Sequence, residues 1–450
     1  MKRKIEEELI EWKKSPNRKC LLIFGARQVG KTYSVTRFSK NYKHFLHVNF
    51  ETTPQARELF EGDISTDFLI EKLRMTYPKV RIVPEDTLIF FDEVQLCPRA
   101  FTSLKPFTDD GRYHVIASGS SLGTKYKRDT SYPVGYVDIM TMYSLDFEEY
   151  LWATGMEGTH IEYVTKCIKE TEPIDDFILK TFDDRFREYL VVGGMPEVVE
   201  GFSKDRSFYE ARMKQERINR MYLEDIGKYA EKEDKSKAAE CFRSIPNQLA
   251  KDNKKFIYAQ VDGTSNANGK TYGSPVRWLV DSYLVNQCFN LRDPQIPFEW
   301  NADYSSFKLF FHDTGLLMGM MAPQAAWSIL NADTYANKGG VAENAVCEAL
   351  VKTGIAPFYF ATKKLETDFI IPMDRDTAVI EVKSGNNKRA KAIYSVMSPT
   401  YGVKRGMIFE NTNIHVDDSG VEHYPLFAIS FIHSLERYGW KDIDEERKTN

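Results

Sequence analysis

The chain has 450 residues, of which 42% are hydrophobic and 28% charged, and a formal net charge of −4. That length accommodates about two to four domains with cores of their own, and the charge gives no global basicity that would force a nucleic-acid partner. The opening MKRKIEEELIEW lacks the apolar core of a secretory signal, no later run reaches membrane-spanning length, and the six cysteines (Cys20, Cys97, Cys167, Cys241, Cys288 and Cys347) contain no C-x-x-C pair; the expectation is a cytoplasmic protein with no membrane association, rather than a disulfide-bonded or zinc-stapled one.

An amphipathic helix is expected over residues 5–13, then an apolar strand at Cys20-Leu21-Leu22-Ile23. FGARQVGKTYS, residues 24–34, follows directly and matches G-x-x-x-x-G-K-[ST]. Gly25 and Gly30 let backbone N–H groups approach phosphate oxygens, because glycine has no Cβ and tolerates positive φ. Lys31 supplies the charge for the β- and γ-phosphates, Thr32 a hydroxyl for Mg2+, and the start of a helix over 32–40 completes the anion cradle. The candidate ATP-binding residues are therefore Gly25, Ala26, Arg27, Gln28, Val29, Gly30, Lys31, Thr32 and Tyr33.

A second apolar strand, Thr87-Leu-Ile-Phe-Phe91, runs into Asp92-Glu93. A buried parallel strand ending in two carboxylates puts Asp92 at the sheet's carboxyl edge as a Mg2+ residue and Glu93 where it polarises the attacking water. Lys31 and Glu93 are the catalytic candidates of this half. A third strand, His114-Val-Ile-Ala-Ser118, ends in Gly-Ser120-Ser121; Ser118 is a γ-phosphate sensor candidate, although such a cluster also reads as a plain turn. Alternating strands and helices to about residue 121 describe an open parallel α/β sheet.

After Pro133-Val-Gly135 a mostly helical stretch begins at Ser144-Leu-Asp-Phe-Glu-Glu-Tyr-Leu-Trp152, broken by Val192-Gly-Gly-Met-Pro196. Residues 202–255 read as helical and rich in Lys and Arg, 263–274 as polar turn, and 276–285 as a second amphipathic helix. That order suits a helix-turn-helix or winged-helix module and equally a helical connector. From about residue 306 the pattern changes to strands near 308–311, 359, 369–371 and 379–382, with a helix over 339–351.

Within this last part Thr367-Asp368-Phe369 opens one strand, and Val379-Ile-Glu381-Val-Lys383-Ser-Gly385 forms another whose Glu and Lys share a face. Asp368 and Glu381 could share a divalent metal, Mg2+ or Mn2+, with Lys383 stabilising a scissile phosphate and Glu343 a further carboxylate of the metal site. The competing reading is a surface ion pair between Glu381 and Lys383 on an edge strand. The basic run Asn386-Asn-Lys-Arg-Ala-Lys391 suits a nucleic-acid backbone or a solvated surface.

In order, GARQVGKT, FFDEVQ, SGSS, YSLDFEEYL, GGMPEVV, the Phe311-His-Asp-Thr-Gly-Leu316 turn and the C-terminal E, TDF and EVKSG set resemble a prokaryotic AAA-type (archaeal-type) ATPase family with a C-terminal DUF4143 domain. The resemblance spans nearly the whole chain, and the middle third is its least distinctive part. It implies an AAA+ P-loop domain over 1–200, a winged-helix-like helical domain over 201–300, and over 301–450 an α/β domain similar to the PD-(D/E)XK, restriction-endonuclease-like fold. Glu343, Asp368, Glu381 and Lys383 match the nuclease-like motif. Where relatives commonly have Gly-Arg after the sensor, this chain has Gly135-Tyr136, leaving Arg128, another arginine or none to complete the nucleotide site. The expected function is a Mg2+-dependent ATPase coupled to a nuclease-like, DNA-engaging domain; the alternative is an ATP-controlled switch acting on a protein partner, with that domain inactive. A homo-oligomer is an open possibility in either reading.

Overall fold

The computed structural model describes residues 1–119, 135–229, 235–263, 268–332, 338–374, 376–383 and 391–435. Ser120, Ser121, Arg128, Ser384, Gly385 and residues 386–390 of the basic run lie outside them. Two compact units emerge, Met1–Ser144 with Asp281–Leu284, and Leu145–Val280 with Val285–Asn450.

In the first unit five strands, β1 (Cys20–Phe24), β2 (His44–Asn49), β3 (Thr87–Asp92), β4 (His114–Ser118) and β5 (Val137–Thr141), form an all-parallel sheet in the order β2-β3-β4-β1-β5. β1, β3 and β4 are buried along their whole length, which explains why they read as continuous apolar runs rather than alternating ones. Leu22, Leu46, Ile89, Phe91 and Val115 point into one core with Leu69, Leu73, Phe101 and Phe107 from the helices and turns on that face. His114, one residue out of phase on β4, meets Trp12 of the opening helix Ile5–Lys14 on the other face, and Trp12 also contacts Phe38. Helices therefore cover both faces. The helix after the phosphate loop spans Lys31–Phe38 and tightens into a 3-10 turn at Ser39–Asn41, ending earlier than its apolar spacing suggests.

The second unit joins a set of helices to an eight-stranded mixed sheet, β12-β13-β11-β10-β9-β8-β6-β7. Its strands are β6 (Val285–Leu291), β7 (Ala302–Phe311), β8 (Phe358–Phe360), β9 (Phe369–Met373), β10 (Asp376–Val382), β11 (Arg405–Glu410), β12 (His415–Val416) and β13 (Glu422–Pro425). The antiparallel pair β6–β7 carries a bulge at Phe289/Asn290, and β6 continues the sheet through a parallel pairing with β8. Residues 201–300 therefore do not close off from 301–450: the compact division falls after Ser144, not near 200 and 300. Two local expectations also shift. A helix begins at Gly269, inside the stretch expected as turn, and ends at Asp281, so Val285 opens a strand.

The Gly-Gly-Met-Pro and His-Asp-Thr-Gly segments, 119 residues apart at their closest bond, meet in this unit. Gly194 N donates to Asp313 Oδ2 at 2.8 Å, and Asp313 Oδ1 accepts from Leu316 N at 3.1 Å as the helix N-cap. A Cβ on Gly193 would lie 2.4 Å from Asp313 Oδ1, and one on Gly194 1.9 Å from Leu145 O, so both glycines are there for backbone approach. Beside them Glu348 is buried with four donors: Thr314 N at 2.7 Å, Thr314 Oγ1 at 2.5 Å, Tyr189 OH at 2.9 Å and Lys352 Nζ at 2.5 Å. These motifs fasten the helices Asp176–Val192, Thr314–Met320 and Lys338–Lys352 together.

Candidate functional site

The loop from Gly25 to Gly30 leaves β1 at the carboxyl edge of the sheet, where ligands of open parallel sheets sit. Gly25 has φ 143°, and a Cβ there would fall 2.1 Å from Met142 O, so no other residue fits. Gly30, at φ 98°, opens the helix Lys31–Phe38. Ala26 and Val29 are buried under the loop, Gln28 adopts φ 66°, Arg27 pairs with Glu51 at 3.1 Å, and Tyr33 is exposed. Arg3 braces the same turn, its Nη1 donating to Val29 O at 3.0 Å; no local pattern in the sequence flags that contact.

Lys31 is 6% exposed and its ammonium donates to Gly25 O at 2.9 Å and Ala26 O at 2.8 Å, folded back over the loop. Burial pulls its pKa down to about 8, against the opposing pull of the Glu93 and Asp92 carboxylates.

Asp92, 1% exposed, gathers the other polar groups. Its Oδ2 accepts from Thr32 Oγ1 at 2.8 Å and Asn49 Nδ2 at 3.1 Å and lies 3.3 Å from His47 Nε2. Its Oδ1 accepts from Ser118 Oγ at 2.5 Å and Glu93 N at 3.1 Å. Burial alone would raise this carboxyl, but the hydrogen bonds from His47, Ser118 and Thr32 outweigh it and hold the pKa low. His47 and Asn49, on neighbouring β2, escaped the sequence reading because only the strand order brings them beside Asp92. Glu93 has left-handed backbone, φ 55° and ψ 44°, and accepts from the Gln95 side-chain amide; burial raises its pKa, opposed first by Lys31. The structure thus brings Lys31, Thr32, Asp92, Glu93 and Ser118 to one edge. Tyr136 leads into β5, with Lys105 Nζ 4.5 Å from its ring centre.

The second constellation assembles in the other unit. Asp368 precedes β9, Glu381 lies on β10, and Glu343 lies on the helix Lys338–Lys352. β10 is flanked by β9 and β11 and Glu381 is 6% exposed, so the expectation of a surface ion pair on an edge strand is overturned. Lys383 Nζ does sit 2.5 Å from Glu381 Oε1, as two residues on one face predict. Asp368 Oδ2 accepts from Val382 N at 2.7 Å. Glu381 is pushed up to about 7 by burial first and then by the Asp368 carboxylate; the same two causes raise Glu343. Glu381 Oε2 and Glu343 Oε2 are buried without a hydrogen-bond partner. Among the described residues no group of three or more His, Cys, Asp or Glu side chains could hold a metal ion. Lys254, from the stretch rich in Lys and Arg, pairs with Glu343 at 2.7 Å.

Sheet, loop and acidic strand together define the first unit as a P-loop ATPase-type domain. The profile described as AAA domain matches residues 17–151, and two domains of unknown function follow, DUF8612 over 183–326 and DUF4143 over 338–427. Among solved structures the chain is similar to the Walker-type ATPase PABY2304 of Pyrococcus abyssi, with 14% identity, a TM-score of 0.42, and coverage of 71% of this chain and 95% of that one. Further similar structures are the Aeropyrum pernix ORC1 protein in complex with DNA (12% identity, TM-score 0.28, 75% and 92% covered) and AMPPCP-bound DnaA from Aquifex aeolicus (12%, 0.27, 62% and 86%). No curated protein matches the chain. Among the described residues no helix is long and apolar enough to cross a membrane.

Proposed function

We propose that the chain is a Mg2+-dependent ATPase whose second unit carries a nuclease-like carboxylate site that engages DNA. The observation that carries the ATPase reading is the convergence of Thr32, Ser118 and the Glu93 backbone N–H on the Asp92 carboxylate, on β3, which β4 separates from the strand that leads into the phosphate loop. Backbone N–H groups from Gly25 to Tyr33 cradle the phosphates, and Lys31 swings from its own loop carbonyls to the β- and γ-oxygens. Thr32 and Asp92 would hold Mg2+, whose charge would offset that building on the phosphate oxygens. Ser118 faces the γ-phosphate, and Glu93 polarises the water that attacks it. The six cysteines are all buried thiols, in keeping with a cytoplasmic setting.

Lys31 gives this reading a pH signature. In the nucleotide-free protein its pKa is lowered to about 8, whereas bound phosphates favour the ammonium. ATP binding therefore takes up a proton above about pH 8, and affinity falls as pH rises through that value. Lys31→Ala should weaken binding at least about tenfold, the worth of one charged hydrogen bond, and abolish the proton uptake. Calorimetric titrations at pH 8–9, in buffers of different ionisation enthalpy, measure both; unchanged affinity in the folded variant removes the phosphate-loop reading.

For the second unit, Asp368 and Glu381 would hold a divalent metal, and Lys383 would stabilise charge on a scissile phosphate. Asp368→Ala and Glu381→Ala should each abolish Mg2+- or Mn2+-dependent cleavage of plasmid or linear DNA and leave ATP hydrolysis largely intact, because Lys31 and Asp92 belong to the other unit. Lys383→Ala should impair cleavage with less loss of metal. Cleavage that persists in the double carboxylate variant would come from elsewhere and sink the assignment. The alternative is an ATP-controlled switch acting on a protein partner; DNA binding that is absent at low salt, or indifferent to salt, would select it.

A further inference from the structure

A cavity of about 130 Å³ opens in the second unit at the carboxyl ends of three parallel strands. β10 runs parallel to β11 and β11 to β13; Lys383 follows β10, Glu410 closes β11 and Leu426 follows β13, and all three line the cavity. Such strand ends are where α/β sheets hold ligands. One face of the helix Asp176–Val192 forms another wall, with Asp183, Phe186, Arg187 and Leu190 at the spacing of successive turns. Val341 and Ala342 add to an apolar interior, and the exposed Asn411 stands at the rim.

The charged groups of this lining are engaged elsewhere, with one exception. Lys383 pairs with Glu381 at 2.5 Å, Arg187 with Asp184 at 2.5 Å and Glu410 with His423 at 2.7 Å. In the neighbouring carboxylate cluster Glu343 likewise has Lys254 at 2.7 Å and Lys308 at 3.9 Å. Asp183, half-buried, makes no hydrogen bond or ion pair among the described residues, and burial pushes its carboxyl up to about 6, so that near this pH it can accept a hydrogen bond or donate one.

An anion in the cavity would face Asp183 and Glu410, and a cation Arg187 and Lys383; the lining therefore favours an uncharged ligand whose edge both donates and accepts. Apolar walls suit a flat ring. A cavity of about 150 Å³ holds benzene, so this one takes one six-membered ring and not the two fused rings of a purine. A pyrimidine base has that size and such an edge, which carboxyl and amide side chains are able to read.

We propose that the cavity takes one unstacked pyrimidine base, its Watson–Crick edge on Asp183 and Asn411 and its ring against Phe186 and Leu190. Lys383 borders both the cavity and the carboxylate cluster, so the base is that of a nucleotide whose phosphate lies at Lys383; a free nucleoside offers the same ring. The strand as source rests on the DNA-engaging reading of the second unit, and the pocket itself does not.

The test uses the nucleotide-free full chain at low salt in EDTA, so that neither ATP nor a metal contributes. Fluorescence anisotropy compares a labelled duplex carrying one unpaired cytosine with the same duplex carrying an abasic residue in its place, saturation-transfer NMR follows free cytidine, and melting curves show that each variant is folded. The parent is expected to bind the cytosine duplex at least about fivefold more tightly than the abasic one. Asp183→Ala and Asn411→Ala should bring the two within about twofold and leave affinity for the abasic duplex unchanged. A preference for cytosine that survives both substitutions overturns the pocket. Equal affinity for the two duplexes, with cytidine signals that both substitutions abolish, makes the ligand a free nucleoside and overturns the strand as its source. Equal affinity with no cytidine signal overturns the pocket and leaves DNA engagement standing. Absence of any DNA binding overturns the DNA reading itself, and the cytidine signal then decides the pocket alone.

Discussion

Glu93→Gln is expected to slow ATP turnover by about 10²- to 10⁴-fold while ATP still binds, the range that general-base assistance contributes. Glutamine keeps the size of the side chain and its capacity to bond Gln95, so the loop after β3 is undisturbed; only the ability to draw a proton from water is lost. The left-handed backbone at φ 55° turns this residue out of the strand line while Asp92, one position earlier, stays buried. Because burial raises the Glu93 pKa, the acid limb of turnover should lie above the ordinary carboxylate range, with activity falling as pH drops through it. Phosphate release measured against pH, alongside titration with a fluorescent nucleotide, checks both points. Parental turnover in the variant would move the catalytic role to another carboxylate.

The largest loss of stability is expected at Glu348, far from any chemistry. Glu348→Ala deletes the acceptor of Thr314, Tyr189 and Lys352 and leaves the Lys352 ammonium, whose side chain is nearly buried, with only Leu145 O and the Tyr189 hydroxyl. Breaking a buried pair from one side costs about 3–5 kcal/mol. In a unit of this size that corresponds to a drop of about 10 °C in melting temperature. Lys352→Met should cost less, since Glu348 keeps its other three donors. A Glu348→Ala protein that melts within about 1 °C of the parent would show that the network contributes little.

The contrast between these two residues marks what can be read from the chain. Glu93 was legible because a phosphate loop, a buried parallel strand and a terminal Asp-Glu are each local patterns with a chemical reason. Glu381 and Lys383 were legible as a pair, through the period of two along a strand, but not as an interior pair, because a strand's own residues do not say which strands flank it. Lys254 and Lys308 carried no local signal, and Glu348 only its i,i+4 spacing to Lys352. Their other partners lie tens of residues or more away, and a lysine that neutralises a buried carboxylate looks in sequence like one that meets solvent or phosphate. The same limit set the expected boundaries near 200 and 300: the change from helical to strand pattern is real, but β6 and β7 complete a sheet whose other strands come later.

Asp281–Leu284 belongs to the first unit although both of its neighbours in the chain belong to the second. Tyr283 packs against the β1–β3 core, its ring stacked with that of Phe24 at 6.4 Å, directly before the phosphate loop. The polypeptide consequently passes between the units three times, so no single cleavage point divides it into two self-sufficient pieces. A gene truncated after residue 144 would encode the nucleotide fold without the aromatic plug beneath its loop. Fragment complementation would have to supply residues 281–284 in trans, and exchanging the ATPase half between relatives by recombination would require replacing two separate stretches at once.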